Sequence, residues 1–271
     1  MEQLIINQKL ERLRELLTIY KRVIIAYSGG IDSAFLTKIA YDTLNEDAIA
    51  VTAVSPSYSS NELEETKKIA REIGINHLII TTNEMSNYNY RSNPANRCYF
   101  CKNALYDELK HVARKFNVNY ILDGLNADDM KEIRHGIKSA MEHGIISPLK
   151  EVALTKTEIR ELSRRFGIRI WDKPATPCLS SRVEYGIEIT PEILRHIENA
   201  EAFLRTIGLK NFRVRYHRHI ARIESSPEDF DNILTNREKI ISRFKELGFV
   251  YITLDLQGFR TGSMNEIINI R

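Results

Sequence analysis

The sequence predicts an α/β fold in which a parallel sheet is covered by helices on both faces, followed by a small C-terminal α+β domain. Three observations predict it. Short apolar runs alternate with amphipathic helical stretches through the first half of the chain. A glycine turn follows the first apolar run at once, as in doubly wound proteins. Downstream of a segment with two prolines, the pattern changes to strict alternation typical of a hairpin.

Leu10, Leu13, Leu16 and Leu17 form one stripe of an opening helix, and Val23 to Tyr27 reads as a short buried strand. Helical spacing resumes at Asp32 with Phe35, Leu36, Ile39 and Ala40. Ala48 to Val54 is a second strand, and Ser59-x-x-Glu62 is a capping box opening a helix that stops at Gly74. His77 to Thr81 is the third strand. A polar loop containing Cys98 and Cys101 follows, then an amphipathic helix marked by Leu105, Leu109, Val112 and Phe116, then the strand Tyr120 to Asp123. Pro174 and Pro177 stop any helix between Trp171 and Arg182, which places the domain boundary just beyond and gives domains 1–183 and 184–271. In the second domain Thr190-Pro191 caps a helix to Gly208, Phe212 to Tyr216 and Ile220 to Glu224 form a hairpin, Ser226-Pro227 caps another helix, and Val250 to Leu256 is the last strand.

Composition narrows the function classes. A net charge of +3 permits anionic small molecules but lacks the dense basic stripe of a nucleic-acid surface, so no nucleic-acid partner is expected. Residues 1–20 alternate leucine with Glu, Arg and Lys, the pattern of neither a signal peptide nor a membrane span, and the chain reads as cytoplasmic. Three cysteines are too few for a disulfide framework and suit metal or redox chemistry better.

A phosphate tail needs backbone N–H groups in close approach and gains from the positive end of a following helix. Strand, Ser28-Gly29-Gly30-Ile31-Asp32-Ser33, then helix supplies both. The loop has no lysine after its glycines, so it is not of the Walker type. It resembles the SGGxDS signature of the PP-loop ATP-pyrophosphatase superfamily. That resemblance implies ATP cleavage between the α and β phosphates, with Ser28, Gly29, Gly30 and Ser33 on phosphate and Asp32 positioning Mg²⁺ or the loop. A second segment, Gly124-Leu125-Asn126-Ala127-Asp128-Asp129, follows a strand and opens on the same sheet edge, where Gly124, Asn126, Asp128 and Asp129 can serve Mg²⁺ or nucleotide or form a capped polar turn.

With these loops and Pro177-Cys178-Leu179-Ser180-Ser181-Arg182, the whole chain resembles the LarE-type ATP-dependent sulfurtransferases, which make the nickel-pincer cofactor of lactate racemase. The resemblance implies adenylylation of pyridinium-3,5-biscarboxylic acid mononucleotide, conversion to thiocarboxylates, a sulfur donor, a homo-oligomer, and a reactive loop carrying Cys178, Ser181 and Arg182. One branch of that family sacrifices the sulfur of a single cysteine, matched here by Cys178. Another holds a 4Fe-4S cluster on three cysteines, which Cys98, Cys101 and Cys178 resemble. A Cys₃His zinc site with His111 and a redox pair are the competing readings of the cysteines. Arg213 and Arg215 alternate onto one face of their strand, which is either a solvated face neutralised by Glu224 or, as the resemblance implies, the site for the substrate's phosphate. His217, His219, Trp171, Lys67-Lys68 and Arg164-Arg165 read as hairpin, packing or solvated residues. The competing functions are tRNA thiolation, amidation of the NAD or GMP synthetase kind, and a nucleotide- or metal-binding regulator without turnover.

Overall fold

The computed structural model describes residues 2–131, 135–174 and 176–266; Ala175 of the proline segment lies outside the described residues. The chain divides into two compact units. One comprises Met1–Ser55, Ser60–Glu84 and Cys98–Thr176, the other Pro56–Ser59, Met85–Arg97 and Pro177–Arg271.

The first unit runs α1 (Glu2–Tyr20), β1 (Val23–Ala26), α2 (Ile31–Leu44), β2 (Ala48–Val54), α3 (Ser60–Ile73), β3 (Asn76–Thr81), α4 (Arg97–Phe116, its first residue counted with the second unit), β4 (Tyr120–Leu122), α5 (His135–His143) and α6 (Lys156–Arg165). Its four strands are all parallel in the order β3-β2-β1-β4, with Val23 beside both Ala48 and Tyr120. Successive side chains of β1 point to opposite faces, and both faces are covered. Val23 and Ile25 join a core with Leu13 and Leu17 of α1 and Phe35 and Ile39 of α2, whereas Ile24 joins Tyr106 and Leu109 of α4. Each fully buried aliphatic side chain contributes about 1.5–3 kcal/mol.

In the second unit α7 (Pro191–Thr206), β5 (Phe212–His217), β6 (Ile220–Ser225), α8 (Arg237–Glu246) and β7 (Tyr251–Leu254) build a mixed sheet with its helices. β5 and β6 are antiparallel with Arg213 opposite Glu224, and β7 joins β6 in parallel. Leu204, Phe212, Val214, Ile223, Ile240 and Phe244 form its core. Residues 85–97 dock on residues 180–189 within this unit. The Tyr90 hydroxyl meets Ser180 Oγ at 2.6 Å, and the Ile189 amide donates to the Arg91 carbonyl at 2.8 Å. Buried Asn93, at a left-handed φ of 54°, donates to the carbonyls of Glu184 (2.8 Å) and Val183 (3.3 Å) and accepts from Arg97 Nη1 (2.6 Å).

Three local expectations change. The cysteine pair is not in a loop, because α4 starts at Arg97 and carries Cys98 and Cys101 at its beginning; no Gly or Pro interrupts residues 97–116. The last strand ends at Leu254, leaving Leu256 82% exposed. Ser226-Pro227 opens a 3₁₀ turn and a short helix, Phe230–Thr235, before α8 begins. Among the described residues no helix is long and apolar enough to cross a membrane.

Candidate active site

In the first unit, the loop after β1 turns at Gly29, where φ is 74°. A Cβ on Gly29 would fall 1.9 Å from Thr66 Oγ1 of α3, so only glycine fits this approach. Gly30 caps α2 without any side-chain bond, which leaves the cationic end of the helix to backbone amides. Ser33 Oγ donates to the Gly30 carbonyl at 3.0 Å, accepts from the Ser28 amide at 3.2 Å and lies 3.1 Å from Ser28 Oγ. These bonds curl the loop over the first turn of α2.

The loop after β4 lies beside it because β4 neighbours β1. A Cβ on Gly124 would come within 2.9 Å of the Ser33 amide nitrogen, so this glycine permits the two loops to touch. Buried Asp123 anchors the second loop, accepting from Ser147 Oγ (2.7 Å), the Leu125 amide (3.2 Å) and the Tyr106 hydroxyl (3.3 Å). Burial pushes the Tyr106 phenol up to about 12, which keeps it a donor. Asn126 is buried and accepts through Oδ1 from the amides of Asp128 (2.9 Å) and Asp129 (3.3 Å). Its amide group donates to Asp32 Oδ1 at 3.3 Å, while Lys156 Nζ meets Asp32 Oδ2 at 2.5 Å. The Lys156 amide in turn donates to Asp128 Oδ2 at 2.8 Å.

The structure therefore brings Ser28, Gly29, Gly30, Asp32, Ser33, Gly124, Asn126, Asp128 and Asp129 together at the carboxyl ends of two adjacent parallel strands. Amide groups and a lysine favour anionic phosphate here, and carboxylates stand beside them. Sequence reasoning passed over Thr66 and Lys156. For Lys156 a signal existed: Thr155 and Glu158 form a capping box, so Lys156 is the first residue of α6.

In the second unit, exposed Cys178 precedes the 3₁₀ turn Leu179–Arg182. Buried Arg182 bonds the carbonyls of Pro177 and Cys178 (the latter at 3.1 Å) and Ser181 Oγ (3.1 Å), and pairs with buried Glu201 at 3.0 Å. It thus fixes the backbone that presents the thiol. Arg215 is also buried: it pairs with Glu224 at 2.8 Å, donates to the Ser181 carbonyl at 3.2 Å and to Ser263 Oγ at 3.1 Å. Arg213 differs. It donates to the Phe212 carbonyl at 2.7 Å and lies over the Phe259 ring at 5.0 Å. Burial, then the neighbouring charge of Arg182, lowers its guanidinium to about 10, with Glu201 opposing the shift. None of the three cysteines is in a disulfide. Cys98 and Cys101 share one helical turn, but among the described residues no three His, Cys, Asp or Glu side chains are gathered within reach of one metal ion.

Comparison with known proteins agrees with this geometry. The NAD synthase family model matches residues 5–115. The chain is 45% identical over 265 residues to an uncharacterised protein of Synechocystis, covering 97% of this chain and 99% of that one. It is 34% identical over 249 residues to the pyridinium-3,5-bisthiocarboxylic acid mononucleotide synthase of Lactiplantibacillus plantarum, covering 92% and 90% of the two chains. A glutamine-hydrolysing GMP synthase chain of Pyrococcus abyssi is 27% identical over 73% of this chain and 68% of its own. Near full-length similarity, together with a glycine loop at the head of α2, makes this chain an ATP-using enzyme of the PP-loop ATP-pyrophosphatase class that belongs to the family of the Lactiplantibacillus plantarum synthase.

Proposed function

We propose that the enzyme adenylylates the carboxylates of pyridinium-3,5-biscarboxylic acid mononucleotide and converts them to thiocarboxylates. The observation that carries this reading is the near full-length match to the Lactiplantibacillus plantarum synthase. In the first step a substrate carboxylate oxygen attacks the α-phosphorus of ATP, the bond to the bridging oxygen breaks, and pyrophosphate leaves. The amides of the 28–33 loop and Lys156 are suited to hold the departing charge, and one or two carboxylates from Asp32, Asp128 and Asp129 to meet Mg²⁺ alongside the phosphate oxygens. In the second step a sulfur nucleophile attacks the acyl carbon and AMP leaves, so no redox change is needed. With an amine as acceptor the same site would amidate; the exposed thiol of Cys178 favours sulfur. A mixture of ATP, Mg²⁺ and the mononucleotide should release pyrophosphate and form an AMP adduct, whereas ADP as product would sink the reading.

For the sulfur source, three cysteines outside any disulfide are the donor type and number that a 4Fe-4S cluster takes with one iron left open. Such a cluster would supply sulfur catalytically; without it, Cys178 would give up its own sulfur. We expect protein purified without oxygen to contain iron and labile sulfide, and Cys98→Ser, Cys101→Ser and Cys178→Ser each to lose most of the iron. Iron-free wild type whose mass drops by that of hydrogen sulfide after turnover would select the sacrificial route.

The substrate's phosphate is proposed to sit on the β5 face that Arg213 and Arg215 share, with Arg213 the more accessible of the two because Arg215 is buried and held by Glu224. Arg213→Ala should weaken mononucleotide binding by roughly ten- to a hundredfold, the worth of one charged hydrogen bond, with ATP binding unchanged. Calorimetric titration with each ligand checks this.

A further inference from the structure

His77 lies on β3, two strands away from the loop that follows β1, and no step above uses it. It is nevertheless tied to that loop. Thr52 Oγ1 on β2 donates to the carbonyl of Tyr27 at 2.7 Å, the peptide immediately before Ser28. A hydroxyl has one proton, so Thr52 can only accept from His77 Nε2, 2.8 Å away. His77 must therefore carry a proton on Nε2. Beyond Tyr27 the chain continues without a break, because the Ser28 amide of that same peptide donates to Ser33 Oγ, and Ser33 donates to the Gly30 carbonyl. Burial, and after it the charge of Lys67, lowers the imidazole below its ordinary value, consistent with a neutral ring. The ring also meets Tyr27 edge-on, with centroids 5.5 Å apart.

We infer that His77 is a positioning residue for ATP cleavage: a one-way relay of hydrogen bonds, His77 to Thr52 to the Tyr27–Ser28 peptide to Ser33 to Gly30, sets the conformation of the phosphate loop. Hydrogen bonds aligned in one direction polarise each other, so the Ser28 amide is held by the relay in its curled position. Three strands thereby contribute to a loop that belongs to one. The inference rests on the reading of the 28–33 loop as the pyrophosphate site.

The test combines kinetics with spectroscopy on the full chain. His77→Leu and Thr52→Val each strand a polar partner in the relay and should lower pyrophosphate release at saturating ATP by about tenfold. His77→Gln, whose amide can donate to Thr52, should recover the rate to within about twofold of wild type. Nitrogen-15 NMR of the wild type should show the His77 proton on Nε2 and a bare Nδ1. A proton on Nδ1, or a His77→Leu variant as fast as wild type, would overturn the relay. If His77→Leu fails to fold, Thr52→Val and the tautomer still decide. Absence of pyrophosphate release by the wild type would instead refute the loop assignment, and the NMR tautomer would then decide the relay by itself.

Discussion

Asp32→Ala is expected to slow pyrophosphate release by at least about a hundredfold, the loss typical when a preorganised charge-stabilising group is removed from an active site. Asp32 is the point where both loops and α6 meet, through Asn126 at 3.3 Å and Lys156 at 2.5 Å. Removing the carboxylate releases the Lys156 ammonium and the Asn126 amide from their fixed positions, and takes away one candidate ligand for Mg²⁺. Stability should change little, because the Asp32 side chain is 22% exposed and the pair is not deeply desolvated. Quench-flow measurement of pyrophosphate alongside a denaturant titration separates the two effects. A folded variant with undiminished turnover would take Asp32 out of the reaction.

Arg215→Ala should have the largest effect on stability, a loss of about 3–5 kcal/mol, since it leaves a buried carboxylate without its main partner. Glu224 is 0% exposed and receives Arg215 at 2.8 Å, Arg222 at 2.9 Å and the Ser263 hydroxyl at 2.7 Å. Arg222 and Ser263 would remain, so the variant is expected to fold but to unfold at lower urea. Arg215→Lys should restore only part of the loss, because an ammonium cannot reach Glu224, Ser181 and Ser263 with one planar fork. Urea titrations of both variants check the ranking. An Arg215→Ala protein as stable as wild type would mean that the ion pair makes no net contribution.

The contrast between Arg213 and Arg215 marks a limit of sequence reading. Alternation puts both on one strand face and the register sets Arg213 opposite Glu224, yet it is Arg215 that takes the buried Glu224 carboxylate, reaching it diagonally across the hairpin. The parallel sheet was legible because buried strands such as Ala48–Val54 are apolar but for a single threonine, and the glycine loop was legible because its chemistry is local. What escaped was long-range. Lys156 lies 124 residues from Asp32, and Thr66 lies behind Gly29 only once α3 has packed. The first turn of α4 escaped for a different reason. Arg97, Cys98 and Lys102 break the apolar stripe that identifies the rest of the helix, so pattern alone starts it too late.

The docking of residues 85–97 on residues 180–189 also governs the order in which the polypeptide can mature. Tyr90 and Ser180 are 90 residues apart in sequence, as are Asn93 and the Val183 carbonyl. During synthesis the earlier segment emerges with its partners still to be translated, while the strands of the first unit up to β4 are already available to pair. The second unit thus closes late, after a long loop has been drawn in at an entropic cost, and until then the Asn93 amide and Tyr90 hydroxyl are served by water. Nascent chains halted before Ser180 would display this stretch to proteases and chaperones, so the unit that carries Cys178 is the one whose biogenesis is most exposed to the cell's quality control.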